Sequence, residues 1–310
     1  MAARDAWNET PDLERAAREF GPASRWPRIN AGLDQVRVVY TDLDGTMMGP
    51  LGNFILNIER EYTLRPVRAL VEALRRGVDV VPVSGRSGRQ LRETARVLGL
   101  KNYIAELGVE VVYNLGEEVV IDTGALEGEC ADLYEHIANS GVADFLLSRY
   151  KRRIEYHTPW SDFRECTPLF RGLVDIQEVN DLLDERFPGM VLVDNGVLPR
   201  TSPTLDVHEM RAYHLIPKGV SKEKAAAEDM RRRGFHRSET IAIGDSEADL
   251  AFAAEVGAFF LVRNGLYSNP HLVSVISACD NVVVTEGFLN EGWAEAVELA
   301  VLGVDSDAIV

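Results

Sequence analysis

The chain has 310 residues and a formal net charge of −16, and 46% of its residues are hydrophobic. This composition is that of a globular protein with room for one large domain or two modest ones. The acidic excess argues against nucleic acid or an anionic membrane surface as partner, because both require clustered Lys and Arg. No apolar run reaches the roughly 18 residues that a membrane-spanning helix needs.

The cysteines and the N-terminus indicate a cellular compartment. Cys130, Cys166 and Cys279 are far apart and do not have the spacing of metal ligands. We expect them to be reduced and to pack as small hydrophobic residues. The first ten residues are polar and lack the basic segment and apolar stretch of a secretory signal. The sequence therefore predicts a cytoplasmic protein.

Residues 1–35 are predicted to form an N-terminal extension with a short helix near residues 13–20. From Val36 onward, short β-rich apolar runs alternate with segments of helical period. Strands are predicted at 36–40, 78–83, near 103, at 240–243, 258–262 and 281–284, and helices at 66–76, 89–98, 221–233, 246–256, 271–278 and 288–302. A hairpin is expected around Gly116, between 109–113 and 119–122. This alternation predicts an α/β fold with a doubly wound parallel sheet.

The segment 123–212 is less regular. Helices are predicted near 127–140 and 176–187, and strands near 191–194, 204–208 and 212–216. We interpret this segment as an α+β domain inserted into the first one. The predicted organisation is an extension at 1–35, a Rossmann-like core at 36–122 and 213–310, and an inserted domain at 123–212.

Polar side chains follow three of the predicted core strands. Asp42 and Asp44 come after the first strand, Ser84 after the second, and Asp245 after the strand at 240–243. In doubly wound sheets, ligands bind at the carboxyl ends of the strands, so these side chains are expected to converge. The sequence therefore predicts a site at this edge of the sheet.

Asp42-Leu43-Asp44-Gly45-Thr46 is the most informative segment. In an extended segment the two carboxylates face one cavity while Leu43 packs behind them. They cannot both ionise cheaply, so either a cation binds there or one of them stays protonated. Either outcome is useful, since it gives a metal-bound nucleophile and a neighbouring acid/base. Gly45 and Thr46 then offer backbone N–H groups to an anion. The alternative is an ordinary Asp-Gly turn.

Two further segments carry candidate residues. A helix starting at Ser246 would place Asp245 at its cap and Asp249 one turn along the same face, although first-turn acids are also favoured by the helix dipole alone. Lys222 lies in the first turn of a predicted helix, where a cation is unfavourable. A group of carboxylates and a phosphate would explain it. Lys218 is the competing candidate.

These segments resemble, in order, the four short motifs of the haloacid dehalogenase (HAD) superfamily. The residues that carry the resemblance are Asp42-Leu43-Asp44-Gly45-Thr46, Ser84-Gly85-Arg86, Lys222, and Gly244-Asp245-Ser246-Glu247-Ala248-Asp249. The resemblance covers about residues 36–300 and is closest to the Cof-like and sugar-phosphatase branch, whose large cap lies between motifs two and three. Ala248 departs from the branch, which usually has Asn there.

The resemblance implies a Mg2+-dependent hydrolase of phosphomonoesters. Asp42 would attack phosphorus and carry an aspartyl-phosphate, Asp44 would serve as acid and base, and Lys222 would screen Asp42. The other implied contacts are phosphate binding by Gly45, Thr46, Ser84, Gly85 and Arg86, metal binding by Asp42, the Asp44 main-chain carbonyl and Asp245, and support by Asp249, Ser246 and Asn264. Oxygen ligands alone suit a hard cation.

The inserted domain would act as a cap that selects the leaving group. Its basic residues, Arg149, Lys151, Arg152 and Arg153 with His157, Arg164 and Arg171 nearby, could bind a second anionic group, but a charged strand edge is the favoured interpretation. Tyr156, Trp160 and Phe163 could stack on a sugar ring, although such aromatics more often pack in a core.

The expected substrate is a small phosphorylated metabolite, most simply a sugar phosphate. The alternatives are a phosphosugar mutase of the same superfamily and a non-catalytic phosphometabolite-binding protein. The binding protein would be expected to have lost Asp42, Asp44 or Lys222, and all three are present. The oligomeric state, monomer or homodimer, is left open by the sequence.

Overall fold

A computed structural model describes residues 11–126 and 132–303. The helices are α1 Pro11–Glu19, α2 Pro22–Asn30, α3 Arg65–Arg75, α4 Gly88–Leu98, α5 Leu133–Asn139, α6 Val142–Arg149, α7 Ile176–Arg186, α8 Lys222–Arg233, α9 Glu247–Leu250, α10 Arg263–Ser268, α11 Leu272–Ser277 and α12 Leu289–Val297. The strands are β1 Val38–Thr41, β2 Asp79–Pro82, β3 Tyr103–Ala105, β4 Glu110–Tyr113, β5 Glu118–Ile121, β6 Ile154–Tyr156, β7 Leu169–Gly172, β8 Met190–Val197, β9 Arg211–Pro217, β10 Thr240–Gly244, β11 Ala258–Leu261 and β12 Val282–Val284.

The chain divides into two compact units. The first unit comprises Met1–Ser84, Leu98–Tyr103 and Lys222–Val310, and the second comprises Gly85–Val97 and Ile104–Ser221. This division follows spatial contacts and groups residues 85–97 and 104–122 with the inserted segment. The domain bounds drawn from the sequence remain a prediction.

The first unit contains a five-stranded parallel sheet with the strand order β12-β11-β10-β1-β2. Its strands are apolar and buried on both faces, as expected where helices cover a parallel sheet. From β1 the chain moves outward to β2, and from β10 it moves in the opposite direction to β11 and β12. The switch in direction therefore lies between β1 and β10. This arrangement confirms the predicted doubly wound α/β sheet.

Register brings the polar loops of these two central strands together. Thr41 is paired with Ile243, so Asp42 and Gly244 leave the sheet side by side. The N–H of Asp42 still donates to the carbonyl of Ile243 at 2.9 Å. Ligands in doubly wound sheets bind at this point, beyond the carboxyl ends of the strands on either side of the switch.

The second unit is α+β. An antiparallel four-stranded sheet has the order β6-β7-β9-β8, and β3, β4 and β5 form a separate three-stranded sheet. The predicted hairpin around Gly116 is confirmed, since β4 and β5 pair antiparallel. The core of the second unit is built from α5, α6 and α7 packed on the four-stranded sheet. Its fully buried side chains include Val142, Leu146, Phe170 and Leu183.

Several predicted elements differ from the structure. The predicted strand at 204–208 is wrong, because these residues form a turn and an irregular loop. Their backbone bonds run from Leu205 N–H to the Ser202 carbonyl at 3.3 Å and from Asp206 N–H to the Arg152 carbonyl at 2.8 Å. The predicted helix at 246–256 is a short α9 followed by a 3-10 turn at 251–254.

Elements that the sequence did not indicate are α2, α6, α10, β6 and β7. β6 and β7 are short strands of three and four residues, and α2 contains Pro27. Residues 127–131, where part of a helix was expected, lie outside the described residues. Within the described ranges, no helix has the length and hydrophobicity to cross a membrane.

Candidate active site

The first polar loop follows β1. Leu43 is fully buried, Asp42 is 7% exposed, and Asp44 is exposed. The loop is closed by two backbone bonds to the Leu43 carbonyl, from Thr46 N–H at 3.2 Å and Met48 N–H at 2.8 Å. The Leu43 side chain is thus packed behind the loop, as the sequence predicts, and the Leu43 carbonyl closes the loop. Since the N–H of Thr46 is used within the loop, its predicted phosphate contact would compete with this bond.

Lys222 begins α8, and its ammonium group joins two loops. Nζ lies 2.7 Å from Asp42 Oδ1 and 2.8 Å from Asp249 Oδ1, and all three side chains are buried. Burial disfavours the charged form of Lys222, but the carboxylates of Asp249 and Asp42 outweigh it and raise its pKa. The cation at the start of a helix is thus stabilised by the acids around it. Lys218, the competing candidate, pairs instead with Asp184 at 2.7 Å on the surface of the second unit.

The second polar loop follows β10. Its helix is capped by Ser246, not by Asp245 as predicted: Ser246 Oγ accepts from Asp249 N–H at 3.2 Å and donates to Asp249 Oδ2 at 2.6 Å. The Ser246-Glu247-Ala248-Asp249 segment is a capping box, a signal present in the sequence. This cap orients Asp249, whose other oxygen accepts from Lys222. Asp245 is left pointing toward the first loop.

Asp245 and the first loop approach each other closely. Gly45 has φ +95°, and a Cβ atom on it would lie 2.3 Å from Asp245 Oδ2. Asp245 also accepts from Thr46 Oγ1 at 3.5 Å and from Asn264 Nδ2 at 3.4 Å. Glycine is therefore required at position 45 by both its backbone conformation and the space that the carboxylate occupies.

The carboxylates form a group that fits a metal ion. One oxygen from each of Asp42, Asp245 and Asp249 lies within 4.8 Å of the others. Burial, with the charges of Asp249 and Asp44, raises the pKa of Asp42 to about 7 against the opposing charge of Lys222. Burial and the charge of Asp42 likewise raise the pKa of Asp245. A hard divalent cation would relieve this repulsion, and oxygen donors are the ligands that it prefers.

Asn264 supports both loops from α10. Its Nδ2 donates to the Gly45 carbonyl at 2.8 Å, and its Oδ1 accepts from Leu289 N–H at 2.8 Å. The side chain is 1% exposed. The sequence indicated Asn264 only through the family resemblance, and Leu289 was not indicated at all. The structure thus joins Asn264 to the loops that carry Asp44 and Asp245.

The remaining motif residues divide between the units. Ser84 is buried at the end of the β2 segment in the first unit, where Val83 N–H donates to the Thr41 carbonyl at 2.8 Å. Gly85 and Arg86 belong to the second unit, and their carbonyls accept from Arg164 and from Glu106 N–H. The phosphate contacts of Ser84, Gly85 and Arg86 stay predictions.

Several basic residues of the predicted cap have protein partners. Arg149 lies 3.4 Å from Glu178, Arg171 lies 2.7 Å from Glu155, and Arg153 donates to the Leu173 carbonyl at 2.8 Å. These contacts favour the charged-surface interpretation over a second anion site. Arg164 differs, because its guanidinium is buried against Glu106 at 3.1 Å.

The aromatic residues of the predicted cap differ in their exposure and packing. Tyr156 stacks on Phe170 at 5.0 Å between ring centroids, as expected for core packing. Trp160 and Phe163 are exposed, at 55% and 79%. The two cysteines in the described ranges, Cys166 and Cys279, are free thiols.

Comparisons with known proteins agree with this geometry. Residues 175–282 match a family model of haloacid dehalogenase-like hydrolases. A phosphoglycolate phosphatase of Sulfolobus acidocaldarius is 24% identical, with 74% of this chain and 84% of the relative covered. Another, of Staphylothermus marinus, is 27% identical over 74% of this chain and 86% of its own length.

Solved structures show the same fold. A Thermoplasma acidophilum protein superposes with a TM-score of 0.61 at 17% identity, covering 86% of this chain and 99% of its own. The sucrose-phosphatase of Synechocystis, solved with sucrose and phosphate, gives 0.57 at 17% identity, covering 86% and 98%. The chain is thus similar in sequence and in fold to haloacid dehalogenase-like hydrolases. Together these matches support a hydrolase of phosphoric monoester bonds of the Cof-like branch.

Proposed function

We propose that this HAD phosphatase hydrolyses a small phosphorylated metabolite, with Mg2+, through an aspartyl-phosphate on Asp42. The observation that carries the proposal is the position of Lys222, whose ammonium group bridges Asp42 and Asp249 at 2.7 and 2.8 Å beside Asp245. A buried nucleophile needs such a cation, because an unscreened carboxylate would repel an anionic phosphate ester.

In the first step, a carboxylate oxygen of Asp42 forms a bond to phosphorus while the bond to the leaving oxygen breaks. Asp44, which is exposed at the mouth of the loop, donates the proton that the leaving oxygen needs. In the second step, Asp44 takes a proton from water as that water attacks phosphorus. The bond from phosphorus to Asp42 breaks, which releases inorganic phosphate and restores the Asp42 carboxylate and the protonated Asp44.

Mg2+ fits the carboxylate group and would be held by Asp42, Asp245 and the main-chain carbonyl of Asp44. When bound, it would neutralise charge that develops on the phosphoryl oxygens. The role of Asp249 differs, since its oxygens are engaged by Lys222 and by Ser246. Asp249 therefore orients the ammonium group toward Asp42, and Ser84 would donate its hydroxyl to the phosphoryl group.

The substrate class follows from the chemistry of the site together with the relatives. The matched relatives are named phosphoglycolate phosphatases, and the Synechocystis enzyme is named a sucrose-phosphatase. We infer that the substrate is a small phosphorylated metabolite of one of two kinds, phosphoglycolate or a sugar phosphate. Of the two, we favour a sugar phosphate. A cytoplasmic location remains a prediction from the cysteine content.

The test is release of inorganic phosphate from 2-phosphoglycolate and a panel of sugar phosphates, with Mg2+ and with excess chelator. Wild type should turn over at least one ester only with Mg2+, and Asp42→Asn, with an unchanged circular dichroism spectrum, should show none. Release that persists in Asp42→Asn would exclude the aspartyl-phosphate route. Phosphate transfer that depends on a sugar bisphosphate, without net release, would instead indicate a mutase.

A further inference from the structure

The N-terminal extension packs on the first unit through an apolar face. Phe20 is 2% exposed, and the Trp26 ring lies 5.1 Å from that of Phe260 in β11. The Phe20 carbonyl accepts from Val284 N–H at 2.8 Å, at the end of the edge strand β12. Arg25 donates to the Cys279 carbonyl at 3.0 Å. Residues 11–35 of the extension thus cover an otherwise open sheet edge and are fixed to it at several points.

From α1 the extension reaches the helix that supports the active site. Glu14 accepts two bonds from Arg263 Nη2, at 2.6 Å to Oε1 and 2.7 Å to Oε2, and a third from the Tyr267 hydroxyl. Burial raises the pKa of Tyr267, and its bond to Glu14 raises it further, so the hydroxyl stays a donor. Arg263 and Tyr267 lie one turn apart on α10 and are held by this single carboxylate.

Arg263 is followed directly by Asn264, the residue that contacts the Gly45 carbonyl and Asp245. The backbone of the next residue is equally constrained, since a Cβ on Gly265 would lie 2.4 Å from the Asp245 carbonyl oxygen. A movement of α10 would therefore displace Asp245 and the Gly45 loop together. Nothing else in the extension contacts this helix through a charged pair among the described residues.

We propose that Glu14 is a positioning residue for the active site: through Arg263 and Tyr267 it holds α10, and through Asn264 it holds the carboxylate of Asp245 in place for Mg2+. The inference rests on the proposed magnesium site. It gives the extension, which lies outside the segment that resembles the superfamily, a part in metal affinity. Groups that orient metal ligands from outside commonly change affinity even though they do not touch the metal.

The experiment is calorimetric titration of the full-length protein with MgCl2, for wild type and Glu14→Gln. Removal of the charge and of one acceptor oxygen should weaken Mg2+ binding by roughly three- to tenfold, a smaller effect than loss of a directly bonded partner. Phosphate release should fall at low Mg2+ and recover at saturating Mg2+, with KM for the ester unchanged. A loss of stability alone would produce neither the affinity shift nor the recovery.

Asp12→Asn is the matched control, since Asp12 is on the same helix and, among the described residues, pairs only with exposed Arg15, at 3.0 Å. It should bind Mg2+ like wild type. Tyr267→Phe removes one bond to Glu14 and gives a milder second test if Glu14→Gln does not fold. Wild-type affinity in both Glu14→Gln and Tyr267→Phe would overturn the proposal. Absence of Mg2+ binding in wild type would instead refute the magnesium site itself.

Discussion

The two units each contain a buried group of acidic residues, and the groups differ in how their charge is balanced. In the first unit, oxygens of Asp42, Asp245 and Asp249 lie within 4.8 Å of one another, and Lys222 contacts two of them. In the second unit, the donor atoms of Glu106, Glu110 and Cys166 are equally close. Proximity of carboxylates therefore does not by itself distinguish the two.

Their surroundings do distinguish them. Glu106 Oε2 is satisfied by protein donors, with Arg164 at 3.1 Å and the Thr167 N–H at 2.7 Å. Glu110 Oε2 is buried without a hydrogen-bond partner among the described residues. Burial, with the charges of Glu106 and Glu165, raises the pKa of Glu110 to about 7 against the charges of Arg92 and Arg164. The first group fits the external cation and the substrate that we propose for it. In the second group Arg164 balances Glu106, and the raised pKa of Glu110 favours its protonated form, so we interpret this group as structural.

The largest expected effect is on catalysis by the first group. Lys222→Met removes the cation between Asp42 and Asp249 and should lower kcat/KM for phosphate release by about 1,000-fold, or about 4 kcal/mol. The matched control is Lys218→Met, because Lys218 forms an exposed pair with Asp184. Lys218→Met should keep wild-type activity. Equal activities of the two variants would remove Lys222 from the mechanism.

For the second group, the expected effect of a substitution is on the free energy of unfolding. Arg164→Gln leaves the charge of Glu106 buried without its cation, and a broken buried pair costs about 3–5 kcal/mol. Its control is Arg152→Gln, since the Arg152–Asp206 pair is exposed, at 56% and 66%, and should contribute little to stability. Urea denaturation followed by circular dichroism measures both. A cost below that of Arg152→Gln would show that Arg164 does not balance Glu106.

The contrast between the two acidic groups also explains which site residues could be predicted from the sequence. Asp42, Ser84 and Asp245 follow buried strands, and parallel strands bring such residues to one edge, so local pattern was enough. Lys222 was separable from Lys218 by its place in the first turn of a helix and by motif spacing. These residues are the ones whose position depends on secondary structure and sheet topology alone.

The contacts that the sequence did not reveal depend on tertiary packing. Arg164 seemed part of a basic surface, yet it is buried because Glu106, distant in sequence, meets it. Glu14 and Arg263 are 249 residues apart, and nothing local marks either as a partner. Ser246 was a cap signal present in the sequence but overlooked, because Asp245 is an equally good cap residue. Short strands such as β6 give too few residues for a clear period.

The pH dependence of stability tests the proton assigned to the second group. Because the pKa of Glu110 rises from 4.5 to about 7 on folding, its protonated form stabilises the native state fully below about pH 4.5. That contribution is lost as pH rises through 7, and the full shift corresponds to about 3 kcal/mol. Glu110→Gln should therefore match wild type near pH 5 and exceed its free energy of unfolding at pH 8. Parallel pH profiles of the two proteins would contradict the raised pKa.

The smallest expected effects come from two helix caps, one in each unit. Ser246 caps α9 and also donates to Asp249, whereas Asp175 caps α7 and accepts from Gln177 N–H at 2.9 Å and Glu178 N–H at 3.1 Å. Either residue replaced by Ala should cost about 1 kcal/mol of stability. Only Ser246→Ala frees the carboxylate that orients Lys222, so only this variant should also lower kcat, by roughly threefold to tenfold. A matching loss of activity in Asp175→Ala would mean that stability, and not the orientation of Asp249, controls the rate.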